Sequence, residues 1–280
     1  MKTNKHNRLI KSIIIYAVSV IGCVWSVFPI YWMLKSSFTP DSEMYQLNPK
    51  LIPSRATFTH YAKLFSETAF MKFFVNSLYV AVLSTVIALF FSILGSYAMT
   101  RLRFKGRHFM KVSIFFSYLL PTAVLFIPMY MMISKIGLNN NKNSLIVVYQ
   151  TFIIPYCCYM LMSYFNTIAY SMEEAAFIDG CTYFQALWKV VIPIILPGLA
   201  VVATFAFTMS WNEYLYALVL TTSPSQQTVP IGISGFKFSD NYIWGLIMSS
   251  SVIASIPAVL LYMLAQRFMV AGLASGSVKQ

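Results

Sequence analysis

Apolar residues in this chain run in long blocks separated by charges, without the alternation that marks half-buried strands. A helix crossing about 30 Å of hydrocarbon needs about 20 apolar residues at a rise of about 1.5 Å each. Six blocks reach that length: residues 12–34, 74–99, 112–133, 144–165, 187–210 and 242–267. The uncharged run from Tyr214 to Phe236 is long enough to be a seventh, but TTSPSQQT in its middle would bury too many polar groups in hydrocarbon. It is predicted to be an outer loop. The pattern predicts an all-α, polytopic membrane protein with six transmembrane helices, a single transmembrane domain over residues 1–280, and a hydrophilic loop at 166–186.

Composition points the same way. Of 280 residues, 58% are apolar and 10% charged, and the mean hydropathy is +0.68, whereas about a quarter of a soluble domain is charged. A net charge of +12 would suit a nucleic-acid binder only if the basic residues shared a polar surface. Here they stand between apolar blocks, so no nucleic-acid partner is expected and the charge is read as a topology signal. Lys2, Lys5, Arg8 and Lys11 precede the first block, and Arg101, Arg103, Lys105, Arg107 and Lys111 crowd the second connection. With Lys189, Arg267 and Lys279, these form the cytoplasmic set in an alternating topology, which places both termini in the cytoplasm. The first block is longer than a signal-peptide core and no A-x-A site follows it, so it is expected to persist as a span.

Other chemistry is sparse. Cys23, Cys157, Cys158 and Cys181 contain no C-x-x-C pair and read as packing residues; His6, His60 and His108 form no cluster, so no metal site is expected. The first outer connection holds Pro49 and Pro53, then a short helix with Tyr61, Leu64, Phe65 and Thr68 at helical spacing. The cluster RLRFKGR reads as a topology anchor, or as a contact for anionic lipid.

The stretch Ser171–Pro197 differs from the blocks around it, being amphipathic and acidic. Ser171-x-x-Glu174 and Thr182-x-x-Gln185 are two capping-box patterns, and Gly180 between them suits the left-handed residue that ends a helix. A short helix from Met172 to about Asp179, a tight turn and a second helix from Tyr183 are predicted. Pro193 and Pro197 should bend the fifth span near its cytoplasmic end. From spacing alone the unit is either an ordinary capped loop or a docking element, since two turns need support from packing.

Glu174-Ala175-Ala176, three residues, Gly180, nine residues, then Val190-Val191-Ile192-Pro193 resembles the EAA signature of the permease subunits of binding-protein-dependent ABC importers. Val190 and Ile192 depart conservatively from the usual Ile and Leu, and Ala169 stands where the sugar branch usually has proline. SYAMTRLRFKGR, KIGLNNN, WNEYLYAL and GLASGSVK extend the resemblance over most of the chain, toward maltose-type second permease subunits. The resemblance implies a prokaryotic cell-membrane importer of a sugar, an oligosaccharide above all, assembled with a second permease, two cytoplasmic ATPases and an extracytoplasmic solute-binding protein. It makes the short helix from Ser171 to Asp179 the coupling helix that docks on an ATPase, with Glu173, Glu174, Ala175, Ala176, Asp179 and Gly180 as the coupling residues and Glu174 meeting a basic group there or capping its own helix. It also implies that the loop from Thr221 to Asp240 faces the solute-binding protein. Nothing matches G-x-x-x-x-G-K-[ST], so ATP and Mg are expected on the partner ATPases, with no cofactor in this chain.

Trp211, Asn212 and Glu213 end the fifth block. Their ring, amide and carboxylate suit sugar hydroxyls, and equally suit an interfacial anchor and a helix cap. An ion-coupled secondary transporter would require ionisable groups at mid-span, and the six blocks hold no Asp, Glu, Lys or Arg in their interiors. No H-E-x-x-H or G-x-S-x-G pattern suggests an intramembrane enzyme.

Overall fold

The structure, a computed structural model, describes residues 3–238 and 241–276, with side chains at 9–237 and 242–268. The expectations for Lys2, Lys5, Arg8, Asp240, Lys279 and the GLASGSVK end lie outside the described side chains. The contacts group into two compact units. One takes the chain up to Thr68 with Ile233–Ile253, and the other takes Ala69–Gly232 with the residues from Ala254.

In the first unit, α1 (Thr3–Ser37) carries an apolar stretch of which none is buried by the rest of the chain, burial beginning only at Ser36 and Ser37 in its last turn. Its side chains have no protein core to join, which suits a helix solvated by hydrocarbon or by another chain. A short helix, α2 (Thr59–Ser66), follows as predicted, but the face it buries differs. His60 and Leu64 are the buried pair, while Phe65 is 49% exposed. The polar His60 can enter because its Nε2 lies 2.8 Å from the Thr39 carbonyl, and because glycine at 245 leaves room for the imidazole. Tyr61 donates to Ser37 Oγ at 2.8 Å, joining α2 to the end of α1. A two-residue pairing of Lys237–Phe238 with Asn241–Tyr242 precedes α11 (Trp244–Gly276), whose first turns complete this unit.

The second unit is built on α3 (Phe70–Arg101), α6 (Lys142–Thr167) and α8 (Tyr183–Trp211). Ser84, Ala88, Ser92 and Ser96 recur every fourth residue on α3, and all four are fully buried. Small residues let helix backbones approach in a membrane, where apolar side chains gain little by leaving lipid. The serines add cross-helix bonds: Ser92 Oγ donates to the Ile154 carbonyl at 3.3 Å and Ser96 Oγ to the Cys158 carbonyl at 3.1 Å. Cys157 and Cys158 sit in this core, Cys23 is exposed, and all four cysteines are free.

The third predicted span is not one straight helix. α4 (Arg107–Leu119) stops before Pro121, and after a 3₁₀ turn at Thr122–Leu125 the chain resumes as α5 (Phe126–Lys135), bent by 94°. Proline disfavours the helical conformation in its predecessor, and Leu120 accordingly takes ψ 126°. The fifth span begins earlier than residue 187. It is continuous from Tyr183, with a π-helical segment at Leu187–Val191 directly before Pro193. That wider turn accommodates the proline, as π segments commonly do where a helix must yield.

The predicted outer loop from Tyr214 to Phe236 contains two short helices, α9 (Leu215–Leu220) and α10 (Val229–Ser234). Its polar centre is held by the starts of α3 and α6. Asn76 Nδ2 donates to the Ser225 and Gln227 carbonyls, both at 2.9 Å, and Lys142 Nζ donates to Asn76 Oδ1 at 2.7 Å. α10 packs closely enough that a Cβ at Gly232 would stand 2.1 Å from the ring of buried Phe73. Gly232→Ala is therefore expected to cost about 1–3 kcal/mol as an overpacking change. Thermal unfolding in detergent micelles would show this, and an unchanged midpoint would disprove the close packing.

Candidate functional site

α7 (Ser171–Ile178) starts one residue earlier than predicted, and its capping box does not form. The preceding residue, Tyr170, is already helical (φ −61°, ψ −27°), and the Glu173 and Glu174 amides bond to its carbonyl at 2.9 and 3.1 Å. Ser171 thus lies inside the first turn and has no N-cap role. The far end follows the predicted pattern: Gly180 takes φ +84°, and the Cys181 amide reaches back to the Ala176 carbonyl at 2.9 Å, a Schellman-type closure. Thr182, extended at ψ 163°, forms the second capping box in full, with Gln185 Oε1 accepting from its amide at 2.9 Å.

The two glutamates of α7 part company. Glu174 is exposed, as are Ala175, Asp179 and Gly180, while Glu173 is fully buried and Ala176 nearly so. Both Glu173 oxygens are occupied: Oε1 accepts from Arg101 Nε in a direct ion pair, and Oε2 from the Tyr97 hydroxyl at 2.9 Å. The same guanidinium donates through Nη2 to the Phe165 carbonyl at 2.8 Å and the Ile168 carbonyl at 3.0 Å. Its charge is neutralised by a carboxylate and spread over carbonyls at the end of α6, as a buried charge requires. Tyr97 and Arg101 occupy the last turn of α3, and sequence reading missed the first and treated the second as a topology marker. An arginine one turn after a tyrosine at the edge of an apolar block was the available signal.

Beside this junction lies an open pocket of about 890 Å³ whose walls include Arg101, Arg103, Arg107, Tyr170 and Tyr183, with no acidic residue among them. Arg107 is itself braced, donating to the Met99 and Thr100 carbonyls at 2.7 and 3.0 Å. The outward face of α7 is apolar as well as acidic: Ile178 is 86% exposed and Met172 50%.

Trp211, Asn212 and Glu213 are not brought together on one surface. Trp211 is buried, its indole N–H donating to the Ala254 carbonyl at 3.2 Å and its ring stacked on Phe207. Glu213 caps α9, accepting from the Tyr216 and Ala217 amides at 2.9 and 3.1 Å, and from the Tyr149 hydroxyl at 2.8 Å. Asn212 is the exposed member. Among the described residues, no group of three or more His, Cys, Asp or Glu could hold a metal ion.

Residues 91–275, which contain the α3 terminus, α7 and the Glu213 cap, match the family described as binding-protein-dependent transport system inner membrane component. The chain belongs to that family. It is thus a multi-pass inner-membrane transport component and not an enzyme. It is 36% identical, over the full length of both chains, to the inner membrane ABC transporter permease protein YcjP of Escherichia coli K12. It is 30% identical to the trehalose/maltose transport system permease protein MalG of Thermococcus litoralis, over 97% of this chain and 98% of that one. In fold it matches a chain of a bacterial ABC transporter crystal structure involved in import of the acidic polysaccharide alginate. There the TM-score is 0.78 at 23% identity, covering 92% of this chain and 96% of the other. The fold shared with that chain is the all-α membrane architecture expected from the apolar blocks, and nothing in these likenesses supports the ion-coupled alternative.

Proposed function

We propose that the chain is the permease subunit of an ATP-driven importer of a sugar, an oligosaccharide in particular, in which α7 is the helix that docks on a cytoplasmic ATPase. One observation carries this reading: an eight-residue helix holds one face fast through buried Glu173 and presents Met172, Glu174, Ala175 and Ile178 outward. A large aliphatic side chain 86% exposed at the tip of so short a helix suits a partner's groove. The names of its relatives, a trehalose/maltose permease among them, support the sugar class.

In this reading a second homologous permease completes the pathway. Two ATPase subunits bind ATP and Mg, and their closure moves α7 and its counterpart on the second permease so that a central cavity between the permeases alternates between outward and inward access. The solute-binding protein meets the loop from Thr221 to Asp240, and exposed Asn212 is the member of the Trp211–Glu213 trio left to contact the substrate path. Both termini lie in the cytoplasm, consistent with the basic connection after α3, where the arginine-rich pocket suits anionic lipid headgroups.

The test is a cross-link. In the assembled importer with its native cysteines replaced, Ile178→Cys carrying a maleimide–benzophenone label is expected to join the ATPase on irradiation, by insertion into a C–H bond of the partner. Glu174→Lys is expected to lower stimulated ATP hydrolysis about tenfold, which corresponds to ~1.4 kcal/mol of lost docking. No cross-link, together with wild-type ATPase in Glu174→Lys, would refute the docking role.

A further inference from the structure

We propose that Arg101 and Glu173 are positioning residues that make α7, the end of α3 and the end of α6 move as one body, so that displacement of α7 is delivered to two membrane-spanning helices at once. The inference rests on the docking role of α7 and deepens it. Glu174, on the exposed face, belongs to the partner side of α7; Glu173 belongs to the permease side.

The covalent routes out of α7 explain why such a joint is needed. Toward its C-terminus α7 continues through Gly180 and the Thr182 cap into α8, and toward its N-terminus it is separated from α6 by only Ile168, Ala169 and Tyr170. α3 is remote in sequence: Arg101 lies 72 residues from Glu173 and Tyr97 lies 76. α3 must therefore be tied to α7 by side chains. Three donors on two residues supply the tie, because one carboxylate takes Arg101 Nε and the Tyr97 hydroxyl while Arg101 Nη2 clamps the Phe165 and Ile168 carbonyls.

The chemistry suits a rigid joint better than a hinge. A planar guanidinium engaging three acceptors has one favourable orientation, and pulling Glu173 away would leave two buried groups without compensation. Lysine could replace the charge but not the fork. α7 also packs on the start of α8 across the glycine turn, with the Phe177 and Tyr183 ring centroids 4.8 Å apart, whereas its tie to α3 is a network of charge-assisted bonds.

The experiment uses the complete importer in nanodiscs, with the native cysteines replaced and spin labels at Ser171→Cys on α7 paired with Val86→Cys on α3 or Val147→Cys on α6. Distances are measured without nucleotide and after trapping with ATP and vanadate. With Arg101 and Glu173 intact, both distances should be narrow and unchanged by trapping. In Glu173→Gln the Ser171 to Val86 distance should broaden or shift by more than ~3 Å on trapping, within the range of helix displacements in switching proteins. In Arg101→Lys, which keeps the pair but loses the carbonyl clamp, the Ser171 to Val147 distance should shift while that to Val86 holds.

The joint is overturned if the intact protein shows the shift, or if Glu173→Gln remains as rigid as the parent. The Ile178→Cys cross-link, measured in parallel on the otherwise cysteine-free importer with and without Glu173→Gln, keeps the two readings apart. A missing cross-link in the parent defeats the docking role, whereas a retained cross-link with unchanged distances in Glu173→Gln defeats the joint alone.

Discussion

Arg101→Ala is expected to release α7 from the rest of the permease and to prevent assembly with the ATPase. The substitution leaves the Glu173 carboxylate fully buried with only the Tyr97 hydroxyl as donor, and leaves the Phe165 and Ile168 carbonyls without the guanidinium. Removing one partner of a buried ion pair costs about 3–5 kcal/mol, much of it the penalty of the stranded charge. Total protein stability is typically about 5–15 kcal/mol, so a loss of that size at one junction should be relieved locally, by undocking α7 and exposing Glu173 to water. Hydrogen exchange should then rise by two or more orders of magnitude across residues 166–182 while the interior of α3 stays protected. A double variant, Arg101→Met with Glu173→Met, removes both charges and should recover most of the stability. If the single and double variants exchange alike, the ion pair is not what holds α7.

Much of this architecture was legible because hydrocarbon thickness sets the length of apolar blocks, and the charges at their ends are visible one residue at a time. The apolar windows now begin and end a few residues beyond the predicted ones, at Phe70–Arg101, Lys142–Thr167 and Tyr183–Trp211. The break at Pro121 was equally visible, yet hydropathy alone passed over it, because a block can be long enough to span and still be unable to remain helical.

The two capping boxes show where local patterns stop being sufficient. Ser171-x-x-Glu174 and Thr182-x-x-Gln185 are alike on paper, and only the second forms. The difference is in the approach of the chain. Gly180 turns it so that Thr182 arrives extended, as an N-cap must, whereas the short exit from α6 makes Tyr170 helical before Ser171 is reached. The partner of Glu173 was out of reach for a different reason: no periodicity connects residues 72 apart, and the pairing exists only because α3, α6 and α7 end at one place.

Glu213→Ala is expected to destabilise the protein by about 2–4 kcal/mol without a specific effect on substrate recognition. The carboxylate satisfies the Tyr216 and Ala217 amides, which are orphan donors in the first turn of α9, and accepts from Tyr149, which is fully buried. Loss of an N-terminal cap costs about 0.5–2 kcal/mol, and a buried hydroxyl deprived of its acceptor about 1–3 kcal/mol, the two overlapping at one site. Glu213→Gln tells the cap from a sugar-binding role. Its amide oxygen can accept from one backbone N–H and its amide nitrogen can donate to the Tyr149 oxygen, but the other backbone amide would face a second donor. Stability should therefore fall to an intermediate value, with the concentration dependence of uptake unchanged for a maltose, trehalose and maltotriose panel. A sugar contact would behave oppositely, raising the concentration needed for half-maximal uptake at little cost in thermal stability. Tyr149→Phe provides the independent arm: it removes the hydroxyl that Glu213 accepts from and leaves both amide bonds. Its destabilisation should therefore be smaller than that of Glu213→Ala, and largely lost when the two changes are combined.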